Sequence, residues 1–126
     1  MKIVTLISRL LLGFVFLVFG LNGFLHFIPM PPPTGIAAQF FTAIFISKYW
    51  VVIFALQVLG GVLLLVNRYV PLALVILGPI IVNIFFFHLF MAPAGLPLAI
   101  LVAILWTVVA VRNKRYLSGL FAPVSD

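Results

Sequence analysis

Acidic side chains are almost missing from this chain: Asp126 is the one Asp or Glu in 126 residues. None falls within an apolar run, so a proton relay through carboxylates and carboxylate ligation of a metal are both excluded there. Cysteine is absent. That removes disulfides, thiolate metal sites and a redox-active Cys pair. Charge of either sign is scarce, at 6% of residues, against about 25% in a soluble domain. No glycine-rich phosphate loop and no nucleophile triad can be traced. Nothing in the sequence argues for catalysis by this chain alone.

What is present is apolar. Hydrophobic residues make up 67% of the chain, and the mean hydropathy is +1.46. Water cannot solvate that much apolar surface, so lipid is the expected solvent and the bilayer the first partner. A spanning helix needs about 20 residues, which leaves room for four spans and short connections. The expected fold is all-α: an integral membrane four-helix bundle with a short interfacial helix between the first and second spans. The pI of about 10.6 would point to nucleic acid in a soluble protein. Here the bases sit at the ends of apolar runs, where head groups meet them, so no nucleic acid partner is expected.

The spans are expected at 8–28, 49–67, 70–91 and 95–112. The first is too long for a signal-peptide core and continues through Gly20-Leu21-Asn22-Gly23 without a cleavage pattern. Pro29-Met30-Pro31-Pro32-Pro33 then stops it, because proline lacks the amide donor. Residues 35–47 are apolar but too short to cross, and read as the interfacial helix. Tyr49-Trp50 and Tyr69 fit aromatic belts at opposite ends of the second span. Pro71 and Pro97 suit first-turn positions, and Gly78-Pro79 predicts a bend in the third span. Gly13, Gly20, Gly60 and Gly61 read as close-packing positions.

Topology follows from the bases. With four spans, Lys2, Arg9, Arg68, Arg112, Lys114 and Arg115 share one side, and Lys48 stands alone on the other. The positive-inside rule then places both termini in the cytoplasm. The expected location is a bacterial-type cytoplasmic (inner) membrane.

Polar residues inside a membrane are costly, so they carry the only chemistry available to read. They are Asn22, His26, Gln57, Asn83 and His88. With a rise of about 1.5 Å per residue, the amides of Asn22, Gln57 and Asn83 fall near the mid-plane and the two histidines near the outer mouth. Asn22 and His26 are four apart and share a helix face. Asn83 and His88 are rotated by roughly 140° and cannot both point inward on an ideal helix. Two readings stay open for these residues: hydrogen bonds that hold helices together, or a polar pocket for a head group or a quinone-like carbonyl. Haem would need both histidines at one level on facing helices, and two histidines are a thin basis for it. A quinone or a lipid fits the pattern better.

The stretches Arg9-Leu10-Leu11-Leu12-Gly13, Phe16 and Gly20-Leu21-Asn22-Gly23-Phe24 resemble the first helix of DoxX-like membrane proteins. Gly60-Gly61-Val62-Leu63-Leu64-Leu65 with Asn67-Arg68-Tyr69-Val70-Pro71-Leu72-Ala73 is similar to their second hairpin. Asn83-Ile84-Phe85-Phe86-Phe87-His88 and Gly95-Leu96-Pro97-Leu98-Ala99 extend the likeness over nearly the whole chain. The resemblance implies a four-helix membrane bundle and a link to quinone-dependent redox chemistry. Relatives often carry an acid near the position of Gln57, and the neutral amide here departs from that.

Two functions follow as expectations. One is a small accessory or quinone-adjacent subunit of a respiratory or photosynthetic membrane complex, associated with other subunits or with itself and having no catalysis of its own. The alternative is a stand-alone binder or carrier of a small amphiphile through an outward-facing polar pocket.

Overall fold

The computed structural model describes residues 2–124, and all regular structure among them is helical. Four long helices form the body: α1 (Lys2–Leu25), α3 (Tyr49–Leu65), α4 (Val70–Phe90) and α5 (Leu96–Arg112). A short helix α2 (Gly35–Ile46) lies between the first two, and α6 (Lys114–Leu117) follows the last. Each long helix buries one stripe. On α1 it is Ser8, Leu12, Gly13, Phe16, Gly20 and Gly23. On α4 it is Val70, Ala73, Leu74, Leu77 and Ile81. The three-and-four spacing is the helical period, so each stripe is one face turned toward its neighbours. α1 packs on α3 and α5, and α4 packs on the same pair, which sets α1 and α4 at diagonal corners.

The tightest seam joins α1 to α3. A methyl group added at Gly61 would lie 2.6 Å from the Leu17 amide nitrogen and 2.8 Å from the Gly13 carbonyl oxygen. One added at Gly20 would lie 2.9 Å from the Val58 amide nitrogen. Backbone therefore rests on backbone, which only glycine permits. Gly60 faces the other way, where a methyl would meet Leu77 of α4 at 2.7 Å. One turn of α3 thus docks two helices at once.

Two side chains tie helices together by hydrogen bonds among the described residues. The Trp106 indole of α5 donates to the Leu74 carbonyl of α4 at 3.0 Å. The Arg9 guanidinium of α1 donates to the carbonyls of Leu64 and Leu65. Those are among the last carbonyls of α3, which have no partner in their own helix, and the positive charge also suits a helix C-terminus. Arg9 brings the start of α1 to the end of α3, and Leu117 of α6 packs against the core beside them. Lys2, Arg9, Arg68, Arg112, Lys114 and Arg115 consequently gather at one end, called here the basic end. The opposite, far end carries Lys48.

At the far end α2 turns by 90° relative to α3. The turn passes through Ser47 and Lys48, the latter in the left-handed region at φ 63°. Rings hold α2 in place: Phe40 and Phe41 stand 5.3 and 5.2 Å from Phe87, and Phe45 stands 5.7 Å from Trp50. The first helix differs from the sequence reading at both ends. α1 begins at Lys2 and ends at Leu25, before the proline run. α4 continues unbroken as a helix through Pro79.

Three segments are long and apolar enough to cross a membrane: Lys2–Leu25, Val70–Phe90 and Pro93–Arg112. The bent pair Gly35–Ile46 and Tyr49–Leu65 makes a fourth if counted together. These helices mark a membrane protein. α3 alone measures roughly 25 Å, a little short of a hydrocarbon core of about 30 Å.

The seam generates a prediction. Gly61→Val should cost about 1–3 kcal/mol, because the Leu17 backbone cannot move aside without shifting α1. Gly119→Ala, where no atom beyond the local backbone and chain neighbours lies within 4 Å of the added methyl, should stay within about 0.5 kcal/mol of wild type. Reversible unfolding in mixed micelles measures both. Equal stability of the two variants would show that the seam is not under constraint.

Candidate functional site

The polar residues singled out in the sequence lie toward the far end, and each is used differently. Asn22 is half-buried in the last turn of α1. Its Oδ1 accepts the Ile28 amide at 2.7 Å, and its carbonyl accepts the His26 amide at 2.9 Å. His26 sits just past the helix end with φ 52°, a left-handed residue of the kind that closes helices. Asn22 and His26 together therefore stop α1 before Pro29 is reached. The His26 ring is exposed.

Gln57 is only 6% exposed and packs on the α1 seam, its Cβ 3.1 Å from where a Gly20 methyl would stand. Its side chain makes no hydrogen bond among the described residues. Every wholly enclosed side-chain nitrogen or oxygen there has a partner. Both atoms of the Gln57 amide therefore keep some exposure.

Asn83 faces outward rather than into the bundle. Its Nδ2 donates to the Pro79 carbonyl of its own helix at 3.0 Å. It lies in a shallow cleft of about 150 Å³ with Phe40, Phe86, Phe87, Phe90 and Met91. His88 is partly buried in the last turn of α4. Its Nδ1 sits 2.8 Å from the Ile84 carbonyl oxygen. A carbonyl only accepts, so Nδ1 carries the proton in the neutral ring and Nε2 is the open acceptor. That nitrogen rests against Gly95 of the short 3-10 turn Pro93–Gly95, where an added methyl would collide with it.

The five residues do not converge. No hydrogen bond joins the side chains of any two of them among the described residues. Asn22 lies beyond the level of Gln57, since Gly20 meets Gln57 and Val58 while Gly23 meets the Phe54 ring. The rotation expected between Asn83 and His88 is seen: one amide lies on the outer surface, one imidazole in a half-buried corner. Chemically, the far end offers amides, imidazoles and rings, which suit uncharged hydrogen-bonding groups. No cluster of metal-ligating side chains occurs among the described residues.

The sequence reading missed two features. One is the ring cluster of Phe24, Phe41, Phe45, Trp50, Phe54 and Phe87 that roofs the far end; its members are scattered over four helices, so no local pattern announces it. The other is a groove of about 300 Å³ on the outer face of α4 and α5, lined by Phe85, Ile100, Ala103, Ile104, Thr107 and Val108. Its signal was legible as two small residues four apart, Ala103 and Thr107.

The contrast between the two asparagines is testable. Asn22→Ala should free the Ile28 amide, speed hydrogen exchange at residues 26–28 and cost about 1 kcal/mol. Asn83→Ala removes a bond made within one exposed helix face and should shift stability by less than about 0.5 kcal/mol. Amide exchange by mass spectrometry separates them. Unchanged exchange at 26–28 in Asn22→Ala would refute the helix-stop role.

Compared with known proteins, the chain matches no family model, no curated protein and no solved structure.

Proposed function

We propose that the chain is a DoxX-like four-helix protein of a bacterial-type cytoplasmic membrane, with both termini in the cytoplasm. We further propose that it serves as a non-catalytic, quinone-adjacent accessory subunit of a membrane redox complex. The family reading rests on the sequence likeness. The orientation rests on six bases at one end against Lys48 at the other.

The subunit reading is carried by the groove between α4 and α5. Its floor is Ala103 and Thr107, one helical turn apart. The Thr107 hydroxyl donates to the Ala103 carbonyl at 2.8 Å, so it is already satisfied and presents its methyl. Small residues four apart let a second helix approach closely in lipid. Ile100 and Ile104 flank the floor and are well exposed. The proposed occupant is one apolar helix of a partner subunit.

A second reading is favoured by Gln57. A polar amide with no hydrogen-bond partner among the described residues suits a binder of a small amphiphile.

Native mass spectrometry after mild solubilisation from the source membrane tests the subunit reading. Wild type should leave the membrane together with larger subunits. Ala103→Leu combined with Thr107→Leu should leave without them, while its melting temperature stays close to wild type. Release of wild type only as multiples of its own mass would sink the subunit reading and favour the binder.

A further inference from the structure

The last long helix does not run straight on past the bundle. α5 stops at Arg112, and Asn113 makes the turn. The Asn113 side chain reaches back to the Val109 carbonyl at 2.8 Å. Its own carbonyl accepts the amides of Tyr116 and Leu117 at 3.0 and 3.2 Å. α6 (Lys114–Leu117) follows, and then the 3-10 turn Ser118–Phe121. Leu117 packs against the hydrophobic core. That contact holds the segment at the basic end of the bundle.

The exposed side chains of this segment are of two kinds. Arg112, Lys114 and Arg115 are exposed bases. Tyr116, Leu120, Phe121 and Val124 are large apolar or aromatic groups, and Phe121 keeps 84% of its surface open. Uncovered apolar groups of this size are unfavourable in water. At the boundary between head groups and acyl chains, bases and apolar groups each meet a favourable partner.

A fourth base joins the three. α4 and α5 run antiparallel and are coupled by the hydrogen bond from Trp106 to Leu74. Arg112 lies six residues beyond Trp106, and Arg68 lies six residues before Leu74. Counting outward from that bond puts Arg68 and Arg112 at about the same level. Val70 and Val109, just inside them, share one buried cluster.

These four bases are not spent on the protein as Arg9 is. The Arg9 guanidinium is given to the α3 carbonyls. Arg68, Arg112, Lys114 and Arg115 make no side-chain hydrogen bond among the described residues. Arg115 lies over the Tyr116 ring at 4.9 Å, which keeps it beside the exposed apolar groups. Asp126, the chain's one acid, lies outside the described residues, and one acid cannot balance four bases.

We propose that the basic end is a binding surface for anionic phospholipid, with residues 112–124 as its interfacial arm. A cluster of bases directly beside a spanning helix attracts anionic head groups. Arg68, Arg112 and Arg115 meet the phosphodiester anions through paired N–H···O bonds, and Lys114 meets them as a point charge. Leu120 and Phe121 enter the acyl boundary. A zwitterionic lipid fits less well, because its head brings a quaternary ammonium up to the same bases. A soluble phosphate also fits less well, because it leaves Leu120 and Phe121 in water. The surface requires the chain to be embedded in lipid; it does not require the partner subunit.

The test is native mass spectrometry of the full chain in an uncharged detergent. It is titrated with phosphatidylglycerol or with phosphatidylcholine of the same acyl chains. Wild type should hold phosphatidylglycerol at least about tenfold more tightly, and the margin should shrink as salt is raised. The triple variant Arg112→Gln, Lys114→Gln, Arg115→Gln should lose most of that margin while its melting temperature stays close to wild type. Lys48→Gln, at the far end, should keep it. In nanodiscs, the amides of residues 116–124 should exchange more slowly when phosphatidylglycerol is present than in phosphatidylcholine alone. Equal binding of the two lipids by wild type would overturn the proposal, as would a full margin in the triple variant. Displacement of the bound lipid by an equal concentration of free glycerophosphoglycerol would overturn it too, since that marks a site for a soluble phosphate ester. Wild type that stays in solution without detergent would refute the membrane reading itself, and the surface with it.

Discussion

Contact between backbones of α1 and α3 is the constraint on which the rest of this structure depends. Gly13, Gly20 and Gly61 bring the two helices so close that a methyl group at Gly61 would press on the Leu17 backbone. In lipid there is no hydrophobic force between helices, so close dispersion contact and a few hydrogen bonds must hold them. The seam fixes the face that α3 turns to α1. That in turn aims Gly60 at Leu77 of α4, and α4 receives the Trp106 bond from α5. One run of small residues therefore orients three further helices.

The seam also separates the two ends. At the basic end, Arg9 reaches across to the final carbonyls of α3, and leucines fill the interior. Toward the far end the α1 stripe changes to Gly20 and Gly23, while rings join Ile81 and Val102 as packing material. α2 closes that end as a lid laid across the bundle, fixed by Phe40, Phe41 and Phe45 against Phe87 and Trp50. The end packed with leucines carries the charge; the end packed with rings carries the amides.

Several polar side chains on the helices and at their ends neutralise themselves. Thr42, Asn83, Thr107 and Asn113 return a hydrogen bond to the carbonyl of the preceding turn, which hides their polarity from lipid at little cost in geometry. Asn22 instead stops a helix, and Gln57 packs on the α1 seam. Among Asn22, Gln57 and Asn83, only the Gln57 side chain makes no hydrogen bond among the described residues.

Apolar content, scarce charge and the one-sided bases were enough in the sequence to give helices of membrane length, their order, the prolines at the starts of α4 and α5, and the short helix over 35–47. Those properties depend on composition and local period, which neighbours in sequence share. The roles of individual polar residues were not legible, because each depends on what another helix brings near it. Asn83 and Gln57 look alike as amides in apolar runs; α4 turns the first outward, and the glycine seam turns the second inward. Asn22 ends α1 three residues before Ile28, because its side chain takes the amide of a residue six positions on, a pairing that exists only once the chain has turned. Tertiary structure decided which polar group is spent and which is open, since hydrogen bonds are satisfied by geometry and not by residue type.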